Sequence, residues 1–231
     1  MAIIYKKGDK MAGIWDRLND EVLLDLKKCK KGKLAGQNWT ICKDLTCRTF
    51  YFEPNKYTIR IWQEEGLYKK EIEIDSRVIF VCERPGPNNP VKEEDSTVRR
   101  CWGEENANRR SVWRLRRFLK VRKDYGLQDC YITNIVKCSK FSGTDSPSVD
   151  EIKECSKHLI KEIEIIQPEV VVAVGGGQDN ILRRKPFKAL IGDKLHKITH
   201  YAFRGSEEEL WESWDREFKE LKRKISSSPI M

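Results

Sequence analysis

Four short apolar runs recur along the chain, and each ends in residues that can take part in chemistry. The runs predict strands at 77–82, 130–136, 170–174 and 197–199. The residues that end or follow them are Glu83, Asn134, Gly175–Gly177 and His200. Because ligands bind beyond the carboxyl ends of parallel strands, we expect these four groups to converge on one site.

Helical periodicity separates the apolar runs. The predicted helices cover 12–30, about 107–124, 149–166, about 178–184 and 207–225, and short strands are predicted at 49–52 and 58–62. Ser148 with Glu151 and Ser206 with Glu209 have the spacing of a capping box at the start of two helices. Alternating strands and helices predict an α/β fold of three layers, with a central parallel sheet of about four strands between helices.

Length and patterning predict a single main domain. We expect an N-terminal helix and a cysteine-bearing extension packed on the core (1–76), an α/β domain (77–225) and a frayed tail (226–231). No apolar run approaches the roughly 20 residues that span a bilayer. The first residues lack the pattern of a secretory signal. We therefore expect a cytoplasmic monomer, nuclear if the source is eukaryotic, with no membrane partner.

The positive charge is concentrated in one segment. The net charge is +9, and residues 99–123 contain ten Lys or Arg against Glu104 and Glu105. Arginine suits phosphate, and the interleaved Trp102 and Trp113 suit bases. The segment predicts a nucleic-acid surface on the side of the strand carboxyl ends. A solvated helix face is the simpler alternative.

Eight cysteines require an explanation in a chain expected to be cytoplasmic, where disulfides are rare. Cys82, Cys101 and Cys130 fit an apolar core. The remaining five, which are candidates for metal binding, are Cys29, Cys42, Cys47, Cys138 and Cys155. His158 and His196 have no motif around them and are expected on the surface.

Each strand-end residue also has a simpler interpretation. Glu83 fits an ordinary loop carboxylate, His200 fits a strand cap, and Gly175–Gly177 fit either a tight turn or a phosphate site at the next helix. Asn134 is harder to explain this way. It lies within an apolar strand, where an amide without partners costs about 1–3 kcal/mol.

Two motifs carry a family resemblance. Cys82-Glu83-Arg84-Pro85-Gly86 is similar to a motif that reads roughly Gly-Glu-Ala-Pro-Gly, and the block from Tyr131 to Cys138 is nearly unchanged from that of the same family. The chain over about residues 70–205 resembles the uracil-DNA glycosylase superfamily, most closely its iron–sulfur branch, family 4. The resemblance implies that fold, and hydrolysis of the N-glycosidic bond of uracil or another deaminated base in DNA, as in base excision repair.

The resemblance also implies a role for each matching residue. Glu83 would help to place water, with Pro85 and Gly86 in the loop beside the bond that breaks. Asn134 would hydrogen-bond the uracil edge, and His200 would hold a carbonyl oxygen of the leaving base. Trp102 is the nearest counterpart of the aromatic residue that stacks on the base.

The family's iron–sulfur branch implies a 4Fe–4S cluster. Cys138 and Cys155 match two of its ligands, and we take Cys42 and Cys47 as the other pair. Cys29 is an alternative to either member of that pair. Four thiolates also suit zinc, which is the alternative metal.

The chain departs from the family at the last motif, where the residue after His200 is Tyr201 and not proline. We expect this loop to be less rigid and turnover to be slow. Arg84 also replaces an alanine. Two alternatives therefore stay open: a catalytically weak nucleic-acid-binding module of the same fold, and a small-molecule nucleotide hydrolase.

Overall fold

The computed structural model describes residues 13–14, 16–29, 40–41, 50–51, 74–84, 110–127, 129–137 and 146–227. In chain order its elements are the π-helical turn Leu18–Leu23, α1 (Leu24–Lys27), β1 (Thr40–Ile41), β2 (Phe50–Tyr51), β3 (Asp75–Cys82), α2 (Arg110–Asp124), β4 (Cys130–Asn134), α3 (Val149–Ile166), β5 (Val170–Val174), α4 (Gly176–Leu182), α5 (Phe187–Ile191), the 3₁₀ turn Gly192–Lys194, β6 (Leu195–Ile198) and α6 (Glu207–Ser226). We call residues 18–27 the N-terminal helix.

The main sheet has four parallel strands in the order β4-β3-β5-β6. The register places Cys82 opposite Asn134 and Val174 opposite Ile198. All four strands therefore end at the same edge. β1 and β2 form a separate antiparallel pair.

Alternation along the strands divides the core between two faces of the sheet, because successive side chains of a strand point to opposite sides. Phe80 of β3 packs with Phe118 of α2 and Phe218 of α6. Its neighbour Ile79 belongs to a second cluster, formed with the N-terminal helix, α3, α4 and α5. The predicted three-layer α/β/α fold is confirmed.

The N-terminal helix lies along α3. Its apolar side chains Leu18, Val22 and Leu26 are buried, as is Ile14 before it. Glu21 pairs with Lys161 at 2.6 Å, and Asp25 with Lys157 at 3.9 Å. Because the later residue of one helix meets the earlier residue of the other, the two helices run antiparallel. The end of the N-terminal helix therefore lies towards the start of α3.

Both predicted capping boxes are present. The Ser148 hydroxyl accepts from the Glu151 N–H at 3.2 Å, and the Ser148 N–H donates to the Glu151 carboxylate at 2.8 Å. Ser206 and Glu209 repeat this arrangement at the start of α6. These caps explain why α3 begins at the predicted residue.

Other boundaries differ from the sequence-based prediction. α4 begins at Gly176 and so includes two of the three glycines, and α5 and the following 3₁₀ turn were not predicted. The predicted strand at 58–62 lies outside the described residues. Within the described part of the chain, no helix has both the length and the apolar character needed to cross a bilayer.

Candidate active site

The carboxyl edge of the sheet brings together the four polar groups predicted from the strand ends. The Val136 N–H donates to the Glu83 carbonyl at 3.0 Å, so the chain continues beside β4 beyond the end of β3. The Gly175 N–H donates to the Ile198 carbonyl at 2.8 Å. Across the edge the order is Asn134, Glu83, the glycine run and His200. Adjacent strands are about 4.8 Å apart, so the two outer strands are separated by about 14 Å.

Gln178 fills the space between Glu83 and the glycine turn. It is buried, and its side-chain nitrogen lies 3.4 Å from Glu83 Oε2. Gly175 has φ 116°, and a Cβ there would lie 2.6 Å from Gln178 Oε1 and 3.1 Å from His200 Cβ. Only glycine fits this position, both by conformation and by space. This packing favours the tight-turn interpretation of the glycine run, and it places Gln178 and His200 both against Gly175.

The His200 ring is held in one tautomer. Its Nδ1 accepts a hydrogen bond from the Ala202 N–H at 2.9 Å, and burial lowers its pKa to about 4. A ring with this pKa is neutral at pH 7. Since Nδ1 is an acceptor, the ring proton resides on Nε2. His200 therefore offers a neutral N–H donor at the sheet edge.

Residues of α2 and Tyr201 support the loop that carries His200. The Tyr201 ring stacks on His200 with centroids 4.2 Å apart, and it lies 5.9 Å from the Phe118 ring. The Arg114 guanidinium donates to the carbonyl of Phe203, and also to that of Gly205 at 3.0 Å. These contacts support the loop at the position where Tyr201 stands in place of proline.

Asn134 is buried at the end of β4, beside a network of buried charges. The Lys137 ammonium donates to the Glu162 carboxylate and to the Thr133 hydroxyl, each at 2.6 Å, and that hydroxyl donates to Glu162 at 2.8 Å. Burial lowers the pKa of Lys137 and raises that of Glu162, and the charge of each partner opposes the shift of the other. The network fixes the backbone on both sides of Asn134.

Arg84 connects the loop after β3 to the start of α3. Its guanidinium donates to Glu151 at 3.0 and 3.4 Å, and its side chain is 11% exposed. The hydrogen bond from Arg84 is the largest cause that lowers the pKa of Glu151 to about 2. Since Glu151 also caps α3, one carboxylate holds both elements.

The positive segment does not act as one surface. Arg122 is buried at the far end of α2, where it donates to the carbonyls of Leu127 and Cys130 at 2.9 and 2.8 Å. Those residues precede or begin β4, at the edge opposite the candidate site. The expectation that all ten basic residues face the carboxyl ends is therefore wrong for Arg122, which has a structural role, and Arg114 supports the His200 loop.

Several predicted site residues lie outside the described residues. These are Cys42, Cys47, Pro85, Gly86, Trp102 and Cys138. Cys155 is buried in α3, within electrostatic range of Lys137, the residue before Cys138. In the described ranges, no three His, Cys, Asp or Glu side chains are grouped to hold a metal ion.

Two further predictions concern buried residues. Cys82 and Cys130 lie in the core as expected, and burial raises the pKa of the Cys130 thiol. His158 was expected on the surface, and this is wrong: it is 3% exposed, beneath the N-terminal helix. Desolvation and the charge of Lys137 lower its pKa to about 4, although the half-exposed Asp25 carboxylate lies 3.7 Å away.

The family follows from comparison with known proteins. The uracil DNA glycosylase superfamily, as a family model, matches residues 69–218. The chain belongs to this superfamily. The match includes the strand ends that carry Glu83, Asn134 and His200.

Individual relatives agree with the branch predicted from the motifs. The chain is 35% identical over 102 residues to the type-4 uracil-DNA glycosylase of Thermotoga maritima, covering 44% of this chain and 46% of that protein. It is 34% identical over 111 residues to that of Sulfurisphaera tokodaii, covering 48% and 42%. It is 27% identical over 100 residues to that of Archaeoglobus fulgidus, covering 43% and 44%. The resemblance to family 4 is confirmed, and the matched segment spans less than half of each relative.

Proposed function

We propose that this protein is a DNA glycosylase that hydrolyses the N-glycosidic bond of uracil, or of another deaminated base, in DNA. The observation that carries the proposal is the neutral His200 ring, which directs an N–H donor to the edge where Glu83 also lies. Membership of the uracil DNA glycosylase superfamily supports the same reaction.

Base recognition would depend on Asn134. A target base must leave the stack, which costs a few kcal/mol. The Asn134 amide has a donor and an acceptor side by side, which match the neighbouring acceptor and donor on the uracil edge. Cytosine presents an amino group in place of the carbonyl, so buried polar groups would stay unpaired. The base would lie over the ends of β3 and β5, between Asn134 and His200.

Bond cleavage requires electrostatic stabilisation of two developing charges, a negative one on the base and a positive one on the sugar. As the C1′–N bond breaks, its electron pair moves onto the base and the sugar becomes positive. The His200 Nε2–H would donate to the carbonyl oxygen on which negative charge develops. The Glu83 carboxylate would stabilise the sugar cation and orient water. Water then adds to C1′, and its proton ends on the released base or in solvent.

DNA would approach the loops at the carboxyl edge. Arg204 is exposed in the loop that carries His200, and Arg117 at the surface of α2 lies over the Trp211 ring at 5.0 Å. Phosphate contacts from such residues release counterions, so affinity falls with salt. The net charge of +9 supports this partner.

The chain also has residues that fit an iron–sulfur cluster. Cys155 is buried near the residue that precedes Cys138, and Cys29 is half-buried at the end of the N-terminal helix, which lies towards the start of α3. These two positions support a site to which cysteines from different segments contribute. We propose that Cys42, Cys47, Cys138 and Cys155 hold a 4Fe–4S cluster. Bound there, it would tie the N-terminal segment to the core and supply no redox step, since the hydrolysis transfers no electrons.

The decisive assay uses purified protein with a uracil-containing oligonucleotide, followed by alkali cleavage of abasic sites. We expect product from the uracil strand and none from a matched thymine strand. Asn134→Ala should lower the rate and weaken discrimination between uracil and cytosine. His200→Ala should lower the rate by about 100-fold or more and keep DNA affinity. His196→Gln, which changes another histidine of the same segment, is the control.

Other outcomes of this assay would favour the alternatives. Binding of uracil DNA without cleavage of any deaminated base would contradict the glycosylase proposal and support a binding module. Release of bases from free nucleotides, with no action on DNA, would support a nucleotide hydrolase.

A further inference from the structure

Gln178 is a buried amide within a helix, and its side chain contacts groups of the candidate site. It lies in α4 and is 3% exposed, yet its side chain reaches both sides of the candidate site. On one side is the Glu83 carboxylate, and on the other are the main-chain carbonyls of Val174 and Gly175. All these neighbours are hydrogen-bond acceptors, whereas the amide has a single NH₂ group to donate.

The amide therefore has two competing arrangements. In one, the nitrogen lies 3.4 Å from Glu83 Oε2 and the amide oxygen faces the carbonyls. In the other, the nitrogen donates to Val174 at 3.1 Å and to Gly175 at 3.3 Å, and the oxygen faces the carboxylate. The second arrangement has two hydrogen bonds to main-chain carbonyls, whereas the first has one longer hydrogen bond to a charged acceptor. A carboxylate at Glu83 favours the first, because a charged acceptor forms the stronger hydrogen bond.

We propose that Gln178 is a positioning residue for Glu83, whose amide holds the carboxylate beside the glycine turn against which His200 packs. This inference depends on the proposed glycosylase function. Glu83 has no other hydrogen-bond donor to its side chain among the contacts of the described residues. A Cβ on Gly177 would lie 4.0 Å from Glu83 Oε2, so the carboxylate rests directly on the turn. Gln178 contacts Glu83 and lies against Gly175, on which His200 also packs, although Glu83 and His200 follow strands that are not neighbours.

A double-mutant cycle tests the coupling. Gln178→Met keeps the length of the side chain and removes its hydrogen bonds. In the wild-type background it should slow single-turnover cleavage by about tenfold, the effect of one lost hydrogen bond to a charged group, with unchanged affinity for uracil DNA. In a Glu83→Gln background the same change should cost less than about twofold. Asn180→Ala, an exposed change in the same helix, is the control.

A second readout is independent of activity. The side-chain amide signals of Gln178, assigned by their loss in Gln178→Met, should shift in the NMR spectrum of Glu83→Gln. Equal costs of Gln178→Met in both backgrounds, or an unshifted amide signal, would overturn the positioning role. Inert wild-type protein with a shifted amide signal would instead reject the glycosylase proposal and leave the contact between Gln178 and Glu83 intact.

Discussion

Lys137 and Glu162 form an ion pair in the interior, with 2.6 Å between Nζ and Oε2 and with side chains that are 1% and 0% exposed. The Tyr131 hydroxyl also lies 3.4 Å from the same carboxylate. Lys137 stands between Asn134 and Cys138 in the chain. The pair therefore anchors the segment that joins the proposed base-binding amide to a proposed cluster ligand.

We expect Lys137→Met to destabilise the protein by about 3–5 kcal/mol, because it leaves the Glu162 carboxylate buried without its cation. Urea unfolding at neutral pH measures this. Lys157→Met is the matched control: the Lys157 side chain is 57% exposed, and surface pairs contribute about 0–1 kcal/mol. Lys137→Met combined with Glu162→Met should cost less than the two single changes added together. Additive costs would show that the two side chains act independently.

Arg84 and Glu151 give a second stability prediction. Arg84→Met should destabilise the protein by about 1 kcal/mol at pH 7, since Glu151 is partly exposed and solvent screens the pair. The folded-state pKa of Glu151, about 2, lies below its ordinary value of 4.5. Its contribution is therefore present above about pH 4.5 and is lost as pH falls towards 2.

Urea unfolding at pH 7 and at pH 3 distinguishes this contribution. The difference between wild type and Arg84→Met should be smaller at pH 3. Lys219→Met, which breaks an exposed pair with Asp215, provides a control. A difference that stays constant with pH would mean that the Arg84 side chain stabilises the loop by packing and not by its bond to Glu151.

Local patterns predicted much of this fold. The Ser148 and Glu151 spacing located the start of α3, and short apolar runs located the strands and hence the edge shared by Asn134 and His200. Each of these features depends on residues that are close together in the chain, so a local pattern in the sequence predicts it. The family motifs also predicted the family 4 branch of the superfamily, which the relatives confirm.

Contacts between distant segments could not be predicted in this way. Gln178 meets Glu83 from 95 positions away, and Arg84 meets Glu151 from 67 positions away, so no local spacing signals either pair. His158 is different, because it lies three residues after Cys155 on the buried side of α3. That helical spacing was a usable signal for its burial. The packing of the N-terminal helix over His158 has no such signal, because it is a contact between distant segments.

His200 gives a prediction for the pH dependence of cleavage. Burial lowers its pKa from 6.5 to about 4, so the ring stays neutral until the pH approaches 4. If the neutral ring is the donor, single-turnover cleavage should not change through pH 6.5 because of His200. It should decrease as pH falls towards 4, because a proton on Nδ1 breaks the hydrogen bond from the Ala202 N–H that orients the ring. An inflection near pH 6.5 that disappears in His200→Ala would show an ordinary, solvated histidine and contradict this assignment.

The cysteines give the last prediction. Iron and acid-labile sulfide in anaerobically purified protein should match one 4Fe–4S cluster, and Cys155→Ser should lose it, because four thiolates are the usual ligands of such a cluster. Cys130→Ser is the control: its thiol is also buried, and its raised pKa disfavours the thiolate that binds metal.

Comparing Cys29→Ser with Cys42→Ser and Cys47→Ser identifies the N-terminal pair of ligands. A variant that lacks a ligand loses iron, and a variant that lacks a bystander cysteine keeps it. If Cys29→Ser loses iron and either Cys42→Ser or Cys47→Ser keeps it, Cys29 replaces that bystander in our assignment. Stoichiometric zinc without iron would reject the cluster and keep the thiolate site, whereas metal-free wild-type protein would reject both.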